Sequence, residues 1–79
     1  MVAIINYGMG NLASVQKAFN ALNIESKITS NPQEIKKASS IVLPGVGSFS
    51  QGMKNLKENN LVDILTEEVM VKKKPFLGI

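Results

Sequence analysis

The sequence predicts a three-layer α/β fold in which a parallel sheet lies between helices, the flavodoxin-like or Rossmann-like class. Residues 2–6 (VAIIN) and 40–43 (SIVL) are short, almost continuously apolar runs, as in strands that are buried on both faces. Segments with a helical spacing of apolar residues follow each run. The resulting order, β-α-β-α-β-α-α-β, predicts right-handed crossovers and helices on both faces of the sheet.

The composition is that of a folded protein with one small domain, or of part of a larger one. The chain has 79 residues, of which 44% are hydrophobic and 19% charged, and it contains no low-complexity segment. Its net charge of +3 comes from lysines without any arginine, a balance more typical of a solvated surface than of a nucleic-acid interface. We therefore expect no nucleic-acid partner.

Two absent residue types exclude several kinds of site. Without cysteine or histidine, the chain offers no disulfide, no conventional zinc site and no Cys/His nucleophile pair, and we expect neither a metal nor a cofactor. The N-terminus shows no basic segment followed by a long apolar one, and no stretch approaches the length of a membrane span. We therefore expect no signal peptide and no membrane contact, and the expected location is the cytoplasm.

The first strand ends at Tyr7, and a helix follows it. Asn11 is a suitable N-cap for this helix. The apolar residues after the cap fall on one helical face: Leu12, Val15, Ala18, Phe19 and Leu22. Residues 24–29 (IESKIT) then alternate between apolar and polar, which predicts an outer strand.

The second helix has a strong start signal. Asn31 is its predicted cap, Pro32 occupies the first helical position, and Glu34 lies where its side chain can reach back to the cap. The helix must be short, because the second buried strand begins at residue 40.

Two helices and a strand are predicted after residues 40–43. The apolar face of the first helix consists of Phe49, Met53 and Leu56. Asn59-Asn60 ends that helix and caps the second, whose inward residues are Leu61, Val62, Leu65 and Val69. We expect Lys72–Lys74 to complement the dipole at the end of the second helix, and the alternative is a patch for an anionic partner. Pro75 ends the helix and opens the last strand, residues 76–79.

Glycine-rich loops follow both buried strands, at the sheet edge where ligands usually bind. The first loop, GMGNLA, fits the dinucleotide-binding pattern G-x-G-x-x-A with Gly8, Gly10 and Ala13. However, the acidic residue that should hold the ribose is missing from the end of the second strand. A tight turn with close helix packing is the favoured interpretation.

The second loop, PGVGSF, matches neither the P-loop pattern nor the dinucleotide pattern. Pro44 restricts the entry of the loop, while Gly45 and Gly47 allow backbone angles that other residues resist. Such a loop can present amide N–H groups to an anionic oxygen, and it can equally form an ordinary turn. The residues alone leave both interpretations open.

Three motifs, taken together, resemble a known family. The segments NYGMGNLASV, VLPGVGSFSQGMKNL and KKPFLGI, at these separations, are similar to those of the class I glutamine amidotransferases, specifically the glutaminase subunits of imidazole glycerol phosphate synthase in histidine biosynthesis. The similarity covers essentially all of residues 1–79 and corresponds to the N-terminal part of a single amidotransferase domain. Asn6 departs from the pattern, since many relatives have Asp at this position.

The resemblance implies that glutamine is hydrolysed to glutamate and ammonia. The ammonia passes to a cyclase partner with a (β/α)8 barrel, in a heterodimer that forms imidazole glycerol phosphate and AICAR. In the family, the catalytic Cys directly follows the LGI motif and would therefore follow Ile79, and the His and Glu come later. The resemblance thus implies that the 79 residues form an incomplete fold and are inactive alone.

The same resemblance assigns roles in catalysis to the second loop. In relatives, this loop supplies one donor of the oxyanion hole, which maps to the Val46 amide, with Gly47 beside it as the second catalytic position. Gly45, Val46 and Gly47 are correspondingly the implied substrate-binding residues. If the Val46 amide points away from the site at rest, a signal from the cyclase could turn it inward, because the flanking glycines allow the rotation.

The first loop has a different implied role, at the interface with the cyclase. The residues implied there are Gly10, Asn11 and Ser14, to which Tyr7 and Met9 could contribute. Three other hypotheses stay open: a paralogous amidotransferase that acts in the modification of bacterial surface sugars, a nucleotide-binding Rossmann-like domain, and a non-catalytic interaction domain.

Overall fold

The computed structural model describes the backbone of residues 1–79 and every side chain except that of Phe49, so the inward position predicted for Phe49 lies outside the described residues. The strands are β1 (Val2–Ile5), β2 (Ser26–Thr29), β3 (Ser40–Leu43) and β4 (Phe76–Gly78). The helices are α1 (Leu12–Ala21), α2 (Pro32–Lys37), α3 (Phe49–Glu58) and α4 (Val62–Thr66). A π-helical turn, Glu67–Val71, directly follows α4. The predicted order of elements is confirmed.

The four strands form one parallel sheet in the order β2-β1-β3-β4. Val2 of β1 lies opposite Ser26 on one side and Ser40 on the other, so β1 is central. This order is the flavodoxin-like one, in which the direction of winding reverses between β1 and β3. The loops that leave these two strands therefore lie side by side.

The core has two halves, one on each face of the sheet. On one face, Val2 and Ile4 pack with Val42 beneath α1. On the other face, Ala3 and Ile5 pack with residues in and next to α2, α3 and α4: Ile35, Leu56, Leu61 and Leu65. All four residues of β1 are buried, because helices cover both of its faces. The predicted three-layer architecture is thus confirmed.

Helix α1 differs from its prediction in how much of its apolar face is covered. Ala18 and Leu22 are exposed instead of buried, and 69% of Leu22 is accessible. With Val15, Phe19 and Ile79 they line an open apolar groove. The reason is that the small apolar sheet face under α1, formed by Val2, Ile4 and Val42, is covered from this helix by Leu12, Val15 and Phe19.

The start of α2 confirms one predicted contact and corrects another. Asn31 caps the helix by accepting a hydrogen bond from the Gln33 amide at 2.9 Å. Glu34 does not reach back to the cap. The Asn31 amide instead donates to Thr29 Oγ1 at 3.0 Å, and the Thr29 hydroxyl donates to Glu34 at 2.6 Å. Glu34 also forms an ion pair with Lys27, and hydrogen bonds from Lys27 and Thr29 lower the pKa of its carboxyl.

The lysines before β4 pair with a buried carboxylate, which the sequence did not predict. Glu68 is fully buried, and its oxygens lie 2.6 Å from Lys74 Nζ and 2.8 Å from Lys72 Nζ. The Lys74 ammonium also donates to the carbonyls of Ile35 and Lys36 in α2, both at 3.0 Å. We call Glu68, Lys72 and Lys74 the Glu68 cluster. The hydrogen bond from Lys72, and to a smaller extent that from Lys74, lowers the pKa of the Glu68 carboxyl.

Candidate functional site

Two loops meet at the carboxyl ends of β1 and β3. The first glycine loop, residues 7–11, connects β1 to α1, and the second glycine loop, residues 44–48, connects β3 to α3. Because the two strands are neighbours in the sheet, both loops lie where open parallel sheets bind their ligands.

The loops pack backbone against backbone through two glycines. Gly10 and Gly45 have φ angles of 79° and 80°. A Cβ atom on Gly10 would lie 2.8 Å from Pro44 Cβ, and one on Gly45 would lie 2.7 Å from the Gly10 nitrogen and 2.8 Å from Met9 Cβ. Only glycine fits at either position. The close packing expected of the first loop is therefore present, although its partner is the second loop and not a helix.

This contact also counts against a dinucleotide site. In that fingerprint the second glycine, here Gly10, allows the backbone to approach the pyrophosphate closely. The space beside Gly10 is instead filled by Pro44 and the Gly45 amide. Moreover, β2 ends at Thr29, whose hydroxyl already donates to Glu34.

The second loop directs two neighbouring amides at a single oxygen atom. The Gly45 and Val46 N–H groups both donate to the Ile79 carbonyl oxygen, at 2.8 and 3.0 Å. The Ile79 amide in turn donates to the Leu43 carbonyl at 3.0 Å, which extends the pairing of β3 with β4. Consecutive amides that converge in this way form a concave site for an oxygen that carries negative charge. The loop therefore has the geometry of an oxyanion donor, with the main-chain oxygen of Ile79, the last residue of the sequence, as its present acceptor.

Gly47 lies beside these donors without any steric need for glycine. Its φ is not in the left-handed region, and a Cβ atom placed on it would meet no described atom within 4 Å. The two glycines of the second loop are therefore not equivalent. Gly45 is required by packing, and Gly47 is not.

Tyr7 lies beneath the second loop. Its side chain is 1% exposed, and its hydroxyl donates a hydrogen bond to the Pro44 carbonyl. Burial raises the pKa of this phenol, so the hydroxyl stays protonated at neutral pH. A side chain buried to this degree is not available to a partner surface, and the expectation that Tyr7 could contribute to such a surface is wrong.

The three residues predicted for a partner interface are exposed: Gly10, Asn11 and Ser14. Asn11 Oδ1 accepts a hydrogen bond from the Ser14 amide at 3.2 Å, which confirms Asn11 as the cap of α1. Gly10 contacts the second loop as well. The structure thus brings Gly10, one of the predicted interface residues, against the predicted oxyanion loop.

An apolar pocket of about 230 Å³ lies between the second loop, α3 and β4. Its lining includes Tyr7, Val46, Gly52, Met53 and Phe76. The pocket, which Val46 of the second loop helps to line, can receive an aliphatic group. In the part of the chain that the structure describes, no three His, Cys, Asp or Glu side chains gather as metal ligands. Among the described helices, none has the length and apolar character needed to cross a bilayer.

Sequence reasoning missed two groups at this site, the Tyr7 hydroxyl and the Ile79 carbonyl. The position of Tyr7 directly after a buried strand was a usable signal, because a buried tyrosine normally needs a partner for its hydroxyl. The role of Ile79 had no comparable signal, since any residue supplies a carbonyl group.

Similarity to known proteins extends over the whole chain. It is 51% identical over 79 residues to imidazole glycerol phosphate synthase subunit HisH 1 of Campylobacter jejuni. It is 49% identical to subunit HisH 2 of Methanococcus maripaludis and 42% identical to subunit HisH 2 of Pseudomonas aeruginosa, in both cases over 79 residues. No model of a protein family matches the chain.

The alignments include all of the chain but only part of each relative. The chain spans 39% of the length of these three curated relatives. The resemblance drawn from the three sequence motifs is thereby confirmed. The four-stranded parallel sheet agrees with part of a glutamine amidotransferase fold.

Proposed function

From this similarity to HisH subunits of imidazole glycerol phosphate synthase along the entire chain, we propose that residues 1–79 are the N-terminal part of a single class I glutamine amidotransferase domain. The whole protein would hydrolyse glutamine to glutamate and ammonia. A cyclase subunit with a (β/α)8 barrel would receive the ammonia in a heterodimer and form imidazole glycerol phosphate and AICAR. The proposed location is the cytoplasm, where free glutamine is available.

The observation that carries the proposal is the pair of amides directed at one oxygen. Hydrolysis of an amide places negative charge on the carbonyl oxygen, and N–H donors already in position stabilise it. Gly45 and Val46 supply two such donors at the sheet edge, with the Ile79 carbonyl as their acceptor in this structure. A donor of this kind contributes roughly 3 kcal/mol to the transition state, judging by the loss when one is removed.

The covalent step needs groups that this chain does not contain, because it has neither cysteine nor histidine. In the proposed reaction, a cysteine thiolate after Ile79 attacks the glutamine amide carbon, and a histidine protonates the departing ammonia. Water then hydrolyses the thioester. In the covalent step itself, the task of the Gly45 and Val46 amides is to hold the carbonyl oxygen while it carries charge.

The contact of the Val46 amide suggests how the site is kept at rest. This amide donates to the Ile79 carbonyl, so it must exchange that acceptor for the substrate oxygen during catalysis. The Val46 N–H belongs to the Gly45–Val46 peptide, so the exchange requires rotation about Gly45 and Val46, next to the open position of Gly47. We propose that binding of the cyclase at Gly10, Asn11 and Ser14 favours this exchange through the contact between Gly10 and Gly45.

The test is ammonia release from glutamine by the full-length protein, with and without a cyclase barrel. We expect release that increases when the barrel and its substrate are present. An ammonium salt, supplied instead of glutamine, serves as the control, because it should support the cyclase without this protein. A cyclase that is active with the ammonium salt, together with no glutamine hydrolysis in the mixture, would exclude the proposal.

A further inference from the structure

We infer that Tyr7 is a positioning residue: its hydroxyl holds the Pro44 carbonyl and thereby sets the direction of the Gly45 and Val46 amides. The structural part of the inference stands on the observed contacts, and its catalytic consequence rests on the proposed function. Tyr7 is not itself proposed to touch the substrate.

The ring of Tyr7 is fixed between α3 and the second glycine loop. A Cβ atom on Gly52 of α3 would lie 3.8 Å from Tyr7 Cε2 and 4.0 Å from its hydroxyl oxygen, so the helix backbone passes close to the ring. The side chain also belongs to the core with Leu56 and Ile5. Packing on these sides leaves the hydroxyl directed at the Pro44 carbonyl.

The Pro44 carbonyl and the Gly45 amide belong to the same planar peptide unit. The Tyr7 hydroxyl holds the oxygen of this unit, and the Ile79 carbonyl accepts from its N–H group. The unit is therefore fixed from both sides. Its neighbour, which carries the Val46 N–H, is joined to it only through the α-carbon of Gly45.

Gly45 has no side chain that would restrict its backbone angles, so the packing against the first loop and the hydrogen bonds of the flanking peptides hold this part of the loop. If the Pro44–Gly45 peptide were released, the Val46 amide could turn with it. Within the described side chains, Tyr7 is the one that hydrogen-bonds to the second glycine loop. A phenylalanine would fill the same volume and would not provide this anchor.

The test is Tyr7→Phe in the full-length protein, with Thr29→Val as the matched control. Each variant removes one buried hydroxyl that donates a hydrogen bond, but Thr29 donates to Glu34 and not to the loop. In Tyr7→Phe we expect amide hydrogen exchange in residues 44–48, measured by mass spectrometry, to become about tenfold faster. We expect kcat for glutamine hydrolysis to fall about tenfold at unchanged KM, because a misplaced donor acts on the transition state. Thr29→Val should change neither quantity.

The outcomes separate the inference from the proposed function. Exchange in residues 44–48 that is the same in Tyr7→Phe as in the unaltered protein overturns the inference, whatever the enzymatic result. Faster exchange with unchanged kcat overturns the catalytic role of the anchor. If the unaltered protein with its cyclase partner hydrolyses no glutamine, the proposed function fails, and the exchange measurement decides the positioning role by itself.

Discussion

In the first glycine loop both glycines, Gly8 and Gly10, have positive φ angles, whereas in the second loop only Gly45 does. A Cβ atom on Gly10 or Gly45 would overlap backbone or proline atoms of the other loop, and one on Gly47 would meet nothing. The two loops share the pattern G-x-G, but the structure requires glycine at both positions of the first loop and at only one position of the second. The glycines of the first loop and Gly45 have close neighbours, whereas Gly47 does not.

This difference separates glycines that packing requires from one that it does not. Gly10 and Gly45 permit the loops to approach each other, which places the predicted partner surface against the amide donors. Gly47 makes no such contact, and a side chain would have room there. Substitutions at the individual glycines can therefore test whether the comparison is correct.

The largest effect is expected for Gly45→Ala. A methyl group here would meet the Gly10 nitrogen at 2.7 Å, and the backbone angle is unfavourable for alanine. Together these effects should lower the free energy of unfolding by about 3 kcal/mol, as measured by urea denaturation of the full-length protein. A loss below about 1 kcal/mol would show that the contact between the loops is not tight.

Gly8→Ala should be less costly. The angle of 83° is again unfavourable for alanine, but the nearest atom is Asn55 Nδ2, at 3.0 Å and at the end of a side chain that can move. We expect a loss of about 1.5 kcal/mol in the same measurement, mostly from the backbone. The double variant with Asn55→Ala, compared with Asn55→Ala alone, is the control and isolates the steric part, because Asn55 also accepts a hydrogen bond from Gln51. If Gly8→Ala lowered the free energy of unfolding as much as Gly45→Ala does, the difference between a movable and a fixed neighbouring atom would be contradicted.

Asn11 tests whether the first loop has a task beyond capping α1. Asn11→Ala should cost about 1 kcal/mol, because the cap to the Ser14 amide is lost. Asn11→Asp keeps a capping oxygen, so stability should be preserved, while we expect affinity for the cyclase to fall about tenfold from the added charge. Calorimetric titration with the barrel measures this change. If Asn11→Asp bound the cyclase with unchanged affinity, the role of Asn11 would be limited to capping α1.

The smallest effect on stability is expected at Gly47. Gly47→Ala should change the free energy of unfolding by less than about 0.5 kcal/mol, because the position is open. Gly47→Val adds a β-branched side chain that restricts rotation. It should therefore reduce kcat for glutamine hydrolysis more than it changes KM. Unchanged turnover in Gly47→Val would refute the assignment of Gly47 to the donor segment.

Much of the fold could be predicted because its signals are local. The apolar runs of β1 and β3, the cap at Asn11 and the helical spacing in α4 each depend on residues close together in the sequence. The alternation of strands and helices then restricts the connections to right-handed crossovers. The parallel sheet with helices on both faces follows from these features together.

The details of the site could not be predicted, because they arise from contacts between distant segments. Nothing in the pattern G-x-G distinguishes Gly45 from Gly47, since only the approach of Gly10 makes one of them indispensable. Similarly, the burial of Glu68 depends on Lys74 reaching the carbonyls at the end of α2. In the sequence alone, three successive lysines at a helix end resemble a solvated surface.

The Glu68 cluster makes the stability of the region before β4 depend on pH. The lowered pKa of Glu68 means that its contribution to stability is complete above the ordinary value of 4.5 and is lost as the pH falls through the lower value of the folded state. Lys74 directly precedes Pro75 and β4, so protonation of Glu68 removes one of the contacts that hold this segment, while the carbonyls of Ile35 and Lys36 still accept from Lys74. The Ile79 carbonyl, on which both amides converge, lies at the end of the same strand. A carboxylate outside the site therefore makes the approach to this strand sensitive to acid.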